Sequence, residues 1–166
     1  MPLVLRLPSP GGKKTAAPTG QLVGMTGPRR RPHWRRLINT RPGRTSPVVT
    51  RVLIVDPCED QRATLCTALT QAGFVVDQAG SSADALVALA ADTRAIITEA
   101  MLPDGSDVDL IEQVRADPRG AEVAVVVTST EAHPVQIERA RRAGAHGWLL
   151  RPFPVPALVA ALSRLP

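Results

Sequence analysis

From Arg51 onward the chain alternates five times between a short aliphatic run and a segment of helical spacing, and this alternation restricts the possible fold more than any other feature. The runs occupy residues 52–55, 74–76, 95–97, 123–127 and 148–150. Short, continuously apolar runs suit strands buried on both faces, as in a parallel sheet. The intervening segments carry apolar residues at helical intervals. Leu65, Ala68, Leu69 and Ala72 fall at i, i+3, i+4 and i+7, and Gly73 follows as a stop. Ser81 or Ser82 can cap a helix bearing Leu86, Leu89 and Ala90. Ser106 can cap another, with Leu110, Ile111 and Val114 turned inward. Pro134 suits a first helical turn that leads to Ile137 and Ala140 and ends at Gly144. Val155, Leu158, Val159, Leu162 and Leu165 form the stripe of a fifth helix.

Strand–helix alternation predicts a three-layer α/β domain with right-handed crossovers over residues 51–166. In such domains ligands bind beyond the carboxyl ends of the strands, near the switch in strand order. The residues just after each run are therefore the candidates for function. Asp56 follows the first run, with Pro57, Cys58, Glu59 and Asp60 behind it. Glu99 ends the third, Thr128 and Ser129 the fourth, and Arg151 the fifth. Two acids, a hydroxyl and a cation should thus meet in one crevice.

These residues sit in stretches that resemble the receiver domain of response regulators, the CheY-like family. The stretches are Val-Leu-Ile-Val-Asp at 52–56, Met-Leu-Pro-Asp-Gly-Ser at 101–106, Val-Val-Val-Thr-Ser at 125–129 and Gly-Ala-His-Gly-Trp-Leu-Leu-Arg-Pro-Phe at 144–153. The resemblance implies a flavodoxin-like five-stranded parallel sheet of order 2-1-3-4-5. It also implies two-component (phosphorelay) signal transduction, in which a histidine kinase passes a phosphoryl group to an Asp after the third strand. Mg²⁺ neutralises the repulsion between that carboxylate and the phosphoryl group, and a hydroxyl and a Lys bind its oxygens.

Three positions depart from that pattern. Pro57 stands where a second metal-contacting acid belongs, so the affinity for Mg²⁺ should fall and no dedicated metal site is expected; Asp56 and Glu99 are the residual metal candidates. Glu99 stands at the acceptor position, one methylene longer than Asp, which displaces the attacking oxygen from its in-line geometry. Its negative charge also resembles that of a phosphorylated Asp. Arg151 stands at the Lys position, where a planar guanidinium can grip Glu99 through two parallel hydrogen bonds. Thr128 and Trp148 match the family's switch hydroxyl and switch aromatic, and Trp148 is bulky enough to resist turning. Asp107 falls where Gly is common and reads as an acid in the first turn of the third helix. The expected function is a stand-alone, atypical pseudo-receiver, independent of phosphorylation and not an enzyme. No output domain is recognised after Leu165.

Residues 1–50 differ sharply from the rest. They hold ten Lys and Arg and no acid, whereas residues 51–166 hold ten basic and fifteen acidic side chains. Pro, Gly, Arg and Thr dominate without a period of 2 or 3.6, so this basic arm is expected to be disordered. Arg29, Arg30, Arg31, Trp34, Arg35 and Arg36 cluster within it. Arginine can hold phosphates and Trp can stack on a base, so a dimerising receiver whose arm binds nucleic acid or an acidic partner is the alternative function. A start of translation at Met25 is equally compatible with the composition.

Other classes are excluded or disfavoured. Cys58 and Cys66 are too few for a disulfide framework or a zinc site and read as idle or buried thiols of a cytoplasmic protein. No apolar run is long enough to span a membrane. There is no P-loop and no Gly-x-Ser-x-Gly elbow, and His33, His133 and His146 lie outside the crevice motifs. Partners are expected to be a histidine kinase, an output protein or a second copy. They would meet the face of the fourth helix, fifth strand and fifth helix, with Arg139, Arg142 and Trp148 on it.

Overall fold

The computed structural model describes residues 22–24 and 50–163. The arm cluster at 29–31 and 34–36, His33, Met25 and Leu165 lie outside the described residues.

Five parallel strands form the centre: β2 (Arg51–Val55), β3 (Val75–Ala79), β4 (Thr93–Glu99), β7 (Ala124–Ser129) and β8 (Gly147–Leu150). Their spatial order is β3-β2-β4-β7-β8, which is 2-1-3-4-5 when these five alone are counted. This is the flavodoxin-like, CheY-like arrangement. Five helices alternate with them: α1 (Glu59–Gln71), α2 (Ser82–Ala88), α3 (Asp107–Ala116), α4 (Pro134–Ala143) and α5 (Val155–Leu162). A small hairpin, β5 (Met101–Leu102) against β6 (Gly105–Ser106), fills the turn between β4 and α3.

The period-2 alternation of each strand sorts its side chains into two cores. Val52, Ile54, Ala95, Ile97 and Leu149 pack against Leu65 and Leu69 of α1 and Leu158 and Leu162 of α5. Leu53, Val55, Ile96, Val125 and Val127 pack against α2, α3 and α4 through Ala85, Leu110, Ile111, Val114 and Ala140. The core is almost wholly aliphatic, as the 2% aromatic content demands.

The boundaries differ from expectation where polar residues continue a strand. β3 starts at Val75 rather than Phe74 and runs on through Asp77 and Gln78 to Ala79. It is an edge strand, so its polar side chains meet water and break the apolar run without ending the ladder. α2 stops at Ala88: Leu89 is its C-cap and Ala90 lies beyond it. The cap serines behave as expected. Ser81 Oγ accepts from the Asp84 N–H at 3.1 Å, and Ser106 forms a reciprocal capping box with Asp109.

One element appears within the arm. β1 (Leu22–Gly24) pairs antiparallel with β8, in the register Leu22↔Leu149, Val23↔Trp148 and Gly24↔Gly147, and makes the sheet six-stranded. Three residues carry no detectable period, so only the pairing partner could disclose this strand.

Gly144 ends α4 in the left-handed region, at φ 113°. A Cβ there would lie 2.9 Å from Arg115 Nε, and the same guanidinium donates to the Gly144 carbonyl at 2.9 Å. Gly144→Ala is expected to cost about 1–2 kcal/mol in urea unfolding. An unchanged midpoint would refute this account of the turn.

Candidate functional site

The parallel register places the carboxyl ends of β2, β4, β7 and β8 along one rim. Glu99 sits directly opposite Thr128, and Asp56 follows Val55, which pairs with Thr98. Arg151 follows β8, its backbone N–H held by the Ser129 carbonyl at 2.8 Å. The Arg151–Pro152 peptide is cis.

The Arg151 guanidinium gathers the other three side chains. Nη2 donates to Asp56 Oδ2 at 2.6 Å and to Thr128 Oγ1 at 2.8 Å. Nη1 lies 3.3 Å from Glu99 Oε2. All of this is sheltered: the side chains of Asp56, Arg151 and Glu99 are 4%, 15% and 18% exposed. The Thr128 hydroxyl donates to the Thr98 carbonyl at 3.2 Å while it accepts from Arg151, so its single proton is committed. Asp56 Oδ1 accepts the Cys58 N–H at 2.8 Å. Glu99 Oε1 accepts the Ala100 N–H at 2.9 Å. Every carboxylate oxygen of the crevice therefore has a partner.

Burial pushes the Glu99 carboxyl above its ordinary value. Arg151 and the Ala100 N–H oppose that shift, and the neighbouring Asp56 charge adds to it.

The expected two-bond grip of Arg151 on Glu99 is not what forms. The shortest ion pair goes to Asp56, and Glu99 takes the longer contact. Glu99 turns one oxygen back to the Ala100 N–H and so offers the cation a single oxygen. Pro57 is exposed at the rim and contributes no side-chain oxygen. Glu59 and Asp60 open α1 as first-turn acids, outside the cluster.

Three placements escaped the sequence reading. Trp148 is fully buried in the α2–α3–α4 core, its indole Nε1 donating to the Glu131 carbonyl at 3.1 Å. It therefore does not share a surface with the exposed Arg139 and Arg142; the ring is large enough that the core claims it. Cys58 is exposed rather than buried, because it precedes α1 on the rim. Asp104, on the β5–β6 turn, caps α2 from a distance, accepting the Ser82 and Ala83 N–H groups at 2.8 and 2.9 Å. The Met-Leu-Pro-Asp-Gly run marked that Asp as a turn residue without revealing its target.

Asp107 does open α3, yet it is only 7% exposed, and its Oδ2 has no hydrogen-bond partner. Burial pushes its carboxyl up to about 6.

A parallel sheet with acids, a hydroxyl and a cation converging at its carboxyl rim defines a receiver domain. The chain belongs to the response regulator receiver domain family, whose model matches residues 52–163. It is 27% identical over 106 residues to chemotaxis protein CheY1 of Helicobacter pylori, covering 62% of this chain and 86% of that one. It is 29% identical over 119 residues to chemotaxis protein CheY-3 of Vibrio cholerae, covering 69% and 90%. The crystal structure of V. cholerae chemotaxis protein CheY4 superposes with a TM-score of 0.67 at 27% identity, over 72% of this chain and all of that one. The chain is thus a CheY-like receiver domain of two-component signalling.

The carboxyl of Asp107 gives a pH test with a defined sign. A carboxyl raised on folding from 3.8 to about 6 binds its proton more tightly in the native state. Stability should therefore fall as pH rises from about 4 to about 6 and stay level above, a loss on the order of 2–3 kcal/mol. Asp107→Asn should remove this slope from urea-unfolding curves. Parallel pH profiles for the two proteins would contradict the assignment.

Proposed function

We propose that this receiver is a phosphorylation-independent docking module, held in one state by Arg151. The observation that carries the reading is the guanidinium lodged between Asp56, Thr128 and Glu99. In receivers generally, a phosphoryl group and its cation draw the hydroxyl and the Lys together at the rim. Here Arg151 already holds that hydroxyl, and Glu99 supplies a negative charge beside it. Trp148 stands inward, in the orientation that the family's switch aromatic takes when the hydroxyl is drawn to the site.

The donor set does not fit Mg²⁺. That ion prefers octahedral geometry with carboxylate oxygens and its own waters. Asp56 and Glu99 both direct an oxygen to the Arg151 cation, their other oxygens accept backbone N–H groups, and Pro57 offers nothing. A second cation in this space would meet repulsion from the guanidinium. The charge that Mg²⁺ neutralises elsewhere is neutralised here by a side chain.

The activity left to such a module is binding a signalling protein, a kinase or an output component, or a second copy. The flank of α4 offers a shallow, apolar-floored cleft lined by Pro134, Val135, Glu138, Arg139 and Arg142. Val135 is 72% exposed on it. Glu138 holds Arg141 at 2.6 Å and Arg142 at 3.0 Å, while Arg139 is exposed. Among the described residues no helix is long and apolar enough to cross a membrane. A second reading draws on the charge split between residues 1–50 and the rest: the arm binds a polyanion. Fluorescently labelled DNA whose affinity ignores salt concentration would dismiss it.

Two measurements test the main proposal. After incubation with acetyl phosphate and Mg²⁺, intact mass should be unchanged for the wild type. The combined variant Pro57→Asp, Glu99→Asp, Arg151→Lys should gain one phosphate. A phosphate on the wild type that disappears in Glu99→Ala overturns the proposal. Separately, Arg151→Met strands two sheltered carboxylates and should cost about 3 kcal/mol in urea unfolding at neutral pH. A neutral effect there would show that the guanidinium does not hold the crevice.

A further inference from the structure

The two edges of the sheet are protected in different ways. At the β3 edge, Asp77 and Gln78 interrupt the strand with polar groups, and Asp77 is paired with Arg51 at 2.9 Å. Charged groups on an edge discourage pairing with another chain. β8 has no such guard. Its sequence is Gly147-Trp148-Leu149-Leu150, without a charge or a proline. A bare strand of this composition would be a template for strand addition. β1 covers it.

The hydrogen-bonding phase of that pairing can be read from the neighbouring strand. The Arg151 N–H, which continues the β8 ladder, donates to the Ser129 carbonyl at 2.8 Å, into the sheet. Alternation along a strand then turns the Leu149 and Gly147 N–H groups inward and the Trp148 N–H outward. The outward group is that of the residue opposite Val23.

Chain connectivity favours pairing within one molecule. Residues 25–49 join β1 to the described residues that begin at Thr50. From β1 to β2 is four strand spacings, roughly 19 Å. A chain of that many residues can extend to on the order of 80 Å, so it spans the gap without stretching. Its local concentration at the edge is then on the order of millimolar, above that of any second copy in dilute solution.

We infer that the outer edge of β8 is a strand-docking site whose occupant is Leu22–Gly24 of the same chain, and that this occupant closes the edge to a second copy. The inference stands apart from the role of Arg151, because no residue of the crevice takes part in it.

The test uses the full chain and compares wild type with Val23→Pro, which removes the N–H group that faces β8. Hydrogen exchange is followed at three amides of β8. That of Trp148 should exchange about tenfold faster in the variant. Those of Gly147 and Leu149, turned toward β7, should stay unchanged and serve as the reference for an intact receiver. Sedimentation should show a monomeric wild type and concentration-dependent association of the variant. Equal exchange at Trp148 in both proteins overturns the docking site. Protection in the wild type that grows with protein concentration overturns the same-chain occupant, because the strand then comes from another copy. A variant with rapid exchange that stays monomeric at every concentration overturns the closing role.

Discussion

One guanidinium organises the functional rim. Without Arg151, Asp56 and Glu99 would be two sheltered carboxylates facing each other across the end of the sheet, and the Thr128 hydroxyl would have no cation to accept from. Like charges in a site of low dielectric repel strongly, and such a site ordinarily calls for a bound ion. Here the ion is part of the chain. It arrives from β8, the last strand of the parallel sheet, and reaches back to Asp56 beyond β2, ninety-five residues away in sequence. The rim is thereby cross-linked over four strands by one side chain.

The fold was largely legible, since hydrophobic burial acts through period. Residues 52–55 and 123–127 are apolar throughout because both faces of β2 and β7 are covered, and the helical stripes of α1, α3 and α5 point at those faces. The site was legible in the same way: the carboxyl end of a parallel strand is where the chain leaves the sheet, so positions 56, 99, 128 and 151 had to share a rim. What stayed hidden depends on distances between residues remote in sequence. Composition cannot say which acid Arg151 prefers, since that turns on the Glu99 oxygen bent back to Ala100. It cannot say that Asp107 is enclosed, nor that Trp148 is swallowed by the core, because both residue types are commonly found at the surface too. β1 is the extreme case, three residues whose only signal is the strand they lie beside.

The rim and the α4 flank occupy different parts of the molecule and are joined through Trp148. Its indole donates to the carbonyl of Glu131 in the loop that precedes α4, and its ring packs with Leu110, Ile111 and Ala140. Since the strand that carries it ends one residue before Arg151, the crevice and the loop before α4 are linked through a backbone segment of a few residues.

Asp104 has a consequence for how the molecule comes apart. α2 has only seven residues, too short to persist by itself, and its first two N–H groups are satisfied by a carboxylate twenty-one and twenty-two positions away. The helix thus exists on loan from the β5–β6 turn. A tug on that turn, or protonation of its acid, should therefore loosen α2 ahead of the central sheet.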